Sequence, residues 1–120
     1  MRGKLFIFHW NPPEADLLAR DLRAANWRVD VECEDTMRAR KRIKERPPDA
    51  VVISLARSPV YGLEIACALR ASRMVNLTIV FLDGKDETIQ TAKTRVPAAI
   101  FATSGELAAI LDAHSRAGWG

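Results

Sequence analysis

Residues 48–55 read Pro-Asp-Ala-Val-Val-Ile-Ser-Leu, and this stretch decides the fold of the chain. Four consecutive apolar residues follow Asp49 and end at the polar residue Ser54. That pattern is typical of a parallel strand that is covered on both faces. A loop follows, and then a helix that we expect to begin near Gly62. The stretch therefore predicts an α/β fold around a buried strand, Ala50 to Ser54.

The composition is that of one ordinary globular domain. The chain has 120 residues, of which 48% are hydrophobic and 28% are charged, with a net charge of +3; this length allows one core but not two. No apolar run approaches the roughly 20 residues that a membrane-spanning helix needs. The segment after Met1 has no small-residue cleavage site. We therefore expect a cytoplasmic protein without a membrane span, with a domain over 1–115 and a short tail over 116–120.

The two cysteines, Cys33 and Cys67, lack the spacing of a redox or metal motif. We expect both to be buried free thiols, because free cysteine behaves as a small hydrophobic residue. A disulfide or a metal site is the alternative.

Apolar runs alternate with helical patterns along the whole chain. We predict strands over 4–8, 27–33, 50–54, 77–82 and 98–102, and helices from near 11 and over about 36–46, 63–72, 87–95 and the segment after 106. This alternation predicts a flavodoxin-like (βα)5 three-layer sandwich with a parallel sheet in the order 2-1-3-4-5. Functional groups in such sheets gather at the carboxyl ends of the strands. In this chain those ends carry His9, Trp10, Ser54, Asp83 and Thr103.

Three stretches carry a resemblance to a known family: residues 48–53, Gly62-Leu63-Glu64, and residues 77–82. They are similar to the third strand, the start of the third helix and the fourth strand of the receiver domain of response regulators, the CheY-like family. The resemblance covers the chain from Lys4 to about Ala113. The resemblance implies a signal-transduction domain of a two-component system or phosphorelay. It also implies that an aspartate at the end of the third strand would accept the phosphoryl group.

The residues at the strand ends depart from the pattern that this resemblance implies. His9 and Trp10 replace the acid pair that holds Mg²⁺, and Ser54 replaces the phosphoacceptor aspartate. Asp83 stands where a serine or threonine contacts the phosphoryl group, and its charge would repel a phosphate. Thr103 replaces the lysine that neutralises the phosphoryl oxygens. We therefore expect a degenerate pseudo-receiver that binds a protein partner without phosphorylation, metal or cofactor and is not an enzyme. A receiver with unconventional phosphorylation is the alternative.

Two further features of this edge need interpretation. Ile100 occupies the position of the aromatic switch residue in the family. His9, Ser54 and Asp83 are also the residue types of a hydrolase triad, in which histidine must stand between the other two. The predicted strand order places Ser54 in the middle instead, and no G-x-S-x-G motif surrounds it. A small hydrolase is therefore the weaker alternative.

A structural role is expected for each of these polar side chains. We expect Ser54 to form a hydrogen bond to Asp83 or to the backbone, and His9 to be a hydrogen-bonded structural residue rather than a group that titrates beside Asp83. Trp10 is expected to cap the pocket or to pack beside the following helix, with an exposed recognition aromatic as the alternative.

The second helix carries the strongest surface signal. Six cations lie within nine residues, against one acid: Arg38, Arg40, Lys41, Arg42, Lys44 and Arg46. They surround a narrow apolar line through Met37 and Ile43. We interpret the helix as a candidate partner surface, with a solvated face as the alternative. The absence of interleaved aromatics from this sequence segment disfavours nucleic acid.

Two other surface segments are candidates. The face of helix 4, strand 5 and helix 5 is the usual output and dimer surface of the family that the chain resembles. Its candidate residues for a homodimer are Ile89, Ala92, Lys93, Arg95, Phe101 and Glu106. In the loop after Ser54, Arg57 would add a cation near the pocket mouth and Tyr61 is expected to be exposed.

Overall fold

The computed structural model describes residues 3–56, 59–72, 74 and 77–116. Five strands and five helices alternate along these residues. The strands are Gly3–Phe8 (β1), Trp27–Glu32 (β2), Ala50–Ser54 (β3), Thr78–Leu82 (β4) and Ile100–Ala102 (β5). The helices are Pro12–Ala24 (α1), Thr36–Glu45 (α2), Pro59–Ala71 (α3), Asp86–Arg95 (α4) and Leu107–Arg116 (α5).

The strands form one parallel sheet in the order β2-β1-β3-β4-β5. In the register of this sheet, Ile7 on β1 is paired with Val31 on β2 and Val52 on β3. The flavodoxin-like (βα)5 arrangement predicted from the sequence is confirmed, including the edge position of β2. The topological switch point therefore lies between β1 and β3, where ligands of such folds bind.

Alternate residues of β1 and β3 serve two separate hydrophobic clusters. Phe8 and Ile53 belong to the cluster that α2, α3 and α4 cover, whereas Ile7 and Val52 belong to the cluster that α1 and α5 cover. All four side chains are fully buried, and each burial of this kind contributes about 1.5–3 kcal/mol. The sheet is thus the middle layer of a three-layer sandwich.

Helix α3 begins earlier than the sequence suggests. The predicted start near Gly62 is wrong by one turn, because the helix already begins at Pro59, a residue whose fixed φ suits a first helical position. Gly62 instead lies inside the first turns and is buried. A Cβ atom at Gly62 would lie 2.8 Å from Cγ2 of Ile53 and 3.1 Å from Cδ2 of Leu55. Glycine at this position therefore allows α3 to approach β3 closely.

Smaller differences from the predictions concern element ends and the thiols. Strand β2 ends at Glu32, one residue before the predicted end, and α5 includes Arg116, which the sequence placed in the tail. The rest of the predicted tail, 117–120, lies outside the described residues. Cys33 and Cys67 are free, as predicted, but they are half-buried rather than fully buried. Within the described part of the chain, no helix is long and apolar enough to cross a membrane.

Candidate functional site

The carboxyl ends of the central strands bring the predicted site residues to one edge of the sheet. His9 and Trp10 follow β1, and Ser54 is the last residue of β3. Asp83 follows β4 and Thr103 follows β5. We call these five residues the carboxyl-end site. Because β3 lies between β1 and β4, Ser54 occupies the middle of this set.

Ser54 is bound to the backbone. Its side chain is buried, with 2% of the residue exposed, and its Oγ accepts a hydrogen bond from the N–H of Ala56 at 3.3 Å. Of the two partners predicted for Ser54, the structure records the backbone one. The hydroxyl thereby closes a short turn at the end of β3, as serine side chains do elsewhere.

Asp83 is bound to Ser104, a residue that the sequence analysis did not single out. Asp83 Oδ1 accepts from the backbone N–H of Ser104 at 2.9 Å, and Oδ2 accepts from the Ser104 hydroxyl at 2.5 Å. The backbone of Asp83 has a φ of 56°, a conformation that Asp tolerates better than most residues. The carboxylate thus connects the β4–α4 loop to the segment that begins α5. In the sequence, Ser104 lies inside the Thr103 to Glu106 pattern that predicts a helix start, but this pattern does not predict the contact with Asp83.

His9 is buried and hydrogen-bonded within the chain. It is 3% exposed, its Nδ1 accepts from the N–H of Asn11 at 3.0 Å, and its Nε2 lies 3.5 Å from Glu14 Oε2. Asn11 in turn caps α1, with its side-chain oxygen accepting from the N–H of Glu14 at 3.1 Å. These contacts hold the imidazole on the β1–α1 side of the edge, whereas Asp83 lies beyond β3. The arrangement therefore lacks the order of a Ser-His-Asp triad.

Trp10 packs within the protein rather than projecting from it. Its ring lies edge-on to Phe8 at 5.0 Å between centroids and tilted against Tyr61 at 5.3 Å. The buried indole Nε1 of Trp10 has no hydrogen-bond partner among the described residues. Trp10 packs against the cluster that α2, α3 and α4 cover, and its aromatic neighbour on a helix, Tyr61, belongs to α3. Packing beside α1, the helix that follows Trp10, stays a prediction. Tyr61 is 50% exposed, which confirms the prediction for that residue; the predicted cation at Arg57 lies outside the described residues.

Thr103 takes part in a capping box at the start of α5. Its Oγ1 accepts from the N–H of Glu106 at 3.3 Å, and Glu106 Oε1 accepts from the N–H of Thr103 at 3.0 Å. This reciprocal pair satisfies two N–H groups that the helix would otherwise leave free. Ile100, at the aromatic-switch position, is half-buried against the cluster under α1 and α5. Both residues therefore contribute to local structure.

The resemblance to receiver domains implies a Mg²⁺ site at this edge. The side chains that the structure describes there do not fit one. Mg²⁺ prefers oxygen ligands, usually including one or two carboxylates. Trp10 has no ligand atom, and His9 uses a ring nitrogen to accept from Asn11. The carboxylate of Asp83 already accepts two hydrogen bonds from Ser104. Within the described ranges, no group of three or more His, Cys, Asp or Glu side chains could hold a metal ion.

Five of the six predicted cations lie on α2, and the sixth, Arg46, is the exposed residue that caps its carboxyl end. Two of the five are bound to β2. Glu32 is 5% exposed and accepts from Arg38 Nε at 2.6 Å and from Arg38 Nη2 at 2.8 Å. The hydrogen bonds from Arg38 hold the pKa of Glu32 at about 2, below its ordinary value, against the opposing effect of burial. Arg42 lies 3.7 Å from Glu32 and 3.8 Å from Asp30, and its guanidinium stands over the Phe6 ring at 5.2 Å. These two arginines attach α2 to the edge strand.

Of the other cations of α2, Lys41 and Lys44 are exposed and Arg40 is half-buried. Lys41 lies 4.0 Å from Glu45 in an exposed pair, and such pairs contribute little. In the part of the chain that the structure describes, Arg40 and Lys44 form no ion pair. The predicted apolar line through Met37 and Ile43 is wrong in part. Ile43 is fully buried, whereas Met37 is 75% exposed and lies among the cations.

The face formed by α4, β5 and α5 is only partly exposed. Ala92 is fully buried. Phe101 is half-buried, stacks on Phe81 at 5.6 Å and lies under the ammonium of Lys93 at 5.8 Å. A depression of about 190 Å³ beside these rings is also lined by Ile89. A homodimer through this face stays a prediction.

Solved structures of response-regulator receiver domains are similar to this chain. The receiver domain of the Francisella response regulator 1452 matches with a TM-score of 0.77 at 16% identity, over 96% of this chain and 98% of that one. The chemotaxis protein CheY4 of Vibrio cholerae matches with a TM-score of 0.77 at 16% identity, over 92% and 96%. The chain has the receiver fold.

The likeness extends to larger proteins. NtrX of Brucella abortus matches with a TM-score of 0.81 at 18% identity, over 98% of this chain but only 27% of its own length. No protein-family model and no curated protein sequence matches the chain. At such identities the comparisons establish the receiver fold, whereas the function has to be argued from the residues.

Proposed function

We propose that this domain acts in signal transduction by binding a protein partner, independently of phosphorylation and of Mg²⁺. The receiver fold supports the signalling role, because the solved structures that share this fold include receiver domains of response regulators. The carboxyl-end site supports the independence from phosphorylation. Its polar atoms are already engaged within the chain: Ser54 with Ala56, and Asp83 with Ser104.

Electrostatics supports the same proposal. A phosphoryl group carries a charge of about −1.5 to −2 at neutral pH, so it needs nearby cations and donors. The described part of this edge offers the carboxylate of Asp83 in place of a phosphate-contacting hydroxyl. It also offers Thr103, which has no charge, in place of a lysine. A kinase would have to reach the hydroxyl of Ser54, and only 2% of this residue is exposed.

The test is treatment of the purified domain with acetyl phosphate and Mg²⁺, followed by intact-mass measurement. A receiver domain that keeps the aspartate serves as the control for donor activity. We expect the mass to remain unchanged. A stable adduct of about 80 Da, the mass of one phosphoryl group, would contradict the proposal and support a receiver with unconventional phosphorylation.

We also propose that the domain has no hydrolase activity. The order of the strand ends supports this, because Ser54 stands between His9 and Asp83 rather than beside a bridging histidine. With an activated phenyl ester as substrate, the hydrolysis rate should equal that of buffer alone. Turnover that Ser54→Ala abolishes would contradict this second proposal without affecting the first.

A further inference from the structure

Two depressions on the outer side of the molecule meet at Met37. The first, about 300 Å³, is lined by Met37, Arg40, Lys41, Lys44 and Glu45 on α2. The second, about 630 Å³, runs from Met37 and the start of α2 to Trp10 and Tyr61. We call the combined area the Met37 surface. It consists of Trp10, Met37, Arg40, Lys41, Lys44 and Tyr61.

The two ends of this surface differ in chemistry. Met37, Arg40, Lys41 and Lys44 follow the i, i+3, i+4, i+7 spacing of a single helical stripe, so the cations extend from Met37 toward the end of α2. At the other end lie Tyr61, which is 50% exposed, and the half-buried Trp10. The surface therefore has a basic end and an aromatic end, with methionine between them.

The apolar part is already arranged for contact. Trp10 supports the Tyr61 ring at 5.3 Å and is itself supported by Phe8 at 5.0 Å, so the aromatic end needs little ordering on binding. Met37 has a flexible, polarizable side chain that adapts to different partners. Tyr and Met are enriched at protein interfaces. Met37 is 75% exposed in the isolated domain, and an apolar side chain of a partner would cover it.

The basic part is not used by the fold. Arg38 and Arg42 are engaged with Glu32 and β2, whereas Arg40 and Lys44 pair with no acid in the described ranges. Lys41 has only its distant contact with Glu45. These three cations are therefore the part of the helix whose charge remains for a partner.

We propose that the Met37 surface is the docking site for an acidic segment of a protein partner. Carboxylates of the segment would lie along Arg40, Lys41 and Lys44, and an apolar side chain would enter the depression between Met37 and Tyr61. This proposal rests on the proposed function, whose binding site it identifies.

Acidic residues on the rim favour a peptide over the other anionic partners. Glu34 and Asp35 line the aromatic end and Glu45 lines the basic end. A nucleic acid or an anionic membrane presents continuous negative charge, so these carboxylates would repel it. A peptide can place its own acids at the basic end only, and side-chain anchors in pockets give such segments their specificity.

The test uses a pool of labelled peptides of about 12 residues, each with about four glutamates near one end and one apolar residue near the other. Binding is followed by fluorescence polarisation, with a labelled oligonucleotide and phosphatidylserine vesicles as parallel probes. We expect saturable binding of members of the peptide pool. The variant Arg40→Glu, Lys41→Glu, Lys44→Glu should weaken it at least roughly tenfold. Failure of the whole pool to bind overturns the proposal.

Two controls separate this site from general charge effects. The variant Arg20→Glu, Lys85→Glu, Arg116→Glu makes the same change in net charge at exposed positions on α1, just before α4 and at the end of α5, and it should bind like the wild type. Equal loss in both triple variants overturns the proposal. So does charge-sensitive binding of the oligonucleotide or of the vesicles in place of the peptides.

A second pair of variants tests the apolar contact without altering the cations or the net charge. Met37→Gln should weaken peptide binding roughly tenfold. Leu17→Gln, at a side chain of α1 that is also exposed, at 51%, should have no effect. Equal binding by Met37→Gln and the wild type contradicts the proposal. The proposed function is judged separately, since its phosphoryl test measures mass and not affinity.

Discussion

Replacing Glu32 by glutamine tests how α2 is attached to the sheet. Glutamine keeps the shape of the side chain and one acceptor for the backbone N–H groups of Glu34 and Asp35, which donate to Glu32 at 3.1 and 3.2 Å. It removes the negative charge that Arg38 and Arg42 share. The change therefore isolates the charged part of the contact.

The pKa of Glu32 gives the size of this contribution. It is lowered from 4.5 to about 2, and this difference corresponds to about 3 kcal/mol between the two protonation states. The side chain of Arg38 is 53% exposed, so solvent screens the pair. We expect Glu32→Gln to lower the free energy of unfolding at pH 7 by about 1–2 kcal/mol.

The dependence on pH has a definite sign. Because the folded-state pKa of Glu32 lies below the unfolded value, the stabilisation is fully present above about pH 4.5 and is lost as the pH falls toward about 2. Urea unfolding at a series of pH values measures this directly. The difference between wild type and Glu32→Gln should be constant near neutrality and shrink in the acid range.

The matched control is Glu45→Gln, which removes the exposed acid 4.0 Å from Lys41. It should change the free energy of unfolding by less than about 0.5 kcal/mol. If both variants lose the same stability, or if the Glu32→Gln effect is independent of pH, the assignment of Arg38 and Arg42 to the fold is refuted.

Two further variants test the carboxyl-end site and the packing of α3. Ser54→Asp should lower the free energy of unfolding at pH 7, measured by urea unfolding, by about 1–3 kcal/mol, because it places a carboxylate in a buried position. Treatment of this variant with acetyl phosphate and Mg²⁺ should still add no phosphoryl group, as intact-mass measurement will show. Gly62→Ala should cost about 1–3 kcal/mol, because its Cβ would lie 2.8 Å from Ile53. Gly105→Ala, whose Cβ would find its nearest neighbour at 3.9 Å, should cost less than about 0.5 kcal/mol; equal losses in the two glycine variants would contradict the packing argument.

The sheet was predictable from the sequence because its strands carry strong local patterns. The run from Ala50 to Ile53 is apolar on both faces, and the segment from Trp27 alternates as an edge strand should. The start of α3 was less predictable. Gly62 reads as a helix boundary, but here it serves the close approach to Ile53, which only the tertiary packing reveals.

The carboxyl-end site was predictable as a set of positions but only in part as a set of contacts. Strand order places Ser54 and Asp83 at the same edge, whereas their hydrogen-bond partners depend on loop conformation. Ser104 became the partner of Asp83 because the backbone beyond β5 turns toward the β4–α4 loop. The sequence of α2 likewise predicts a cluster of cations but not the pairing of Arg38 with Glu32. That pairing depends on how α2 is positioned against β2, which the sequence does not show.

The polar atoms of Ser54 and Asp83 at the carboxyl-end site are engaged within the chain, and we propose that they take neither Mg²⁺ nor a phosphoryl group. The most direct measurement is the two-dimensional amide NMR spectrum of the domain, recorded with and without Mg²⁺ and acetyl phosphate. The N–H of Ala56 reports the hydroxyl of Ser54, and the N–H of Ser104 reports the carboxylate of Asp83. We predict that both resonances keep their positions. A saturable shift of both with Mg²⁺, or a second set of peaks after the phosphodonor is added, would contradict this proposal.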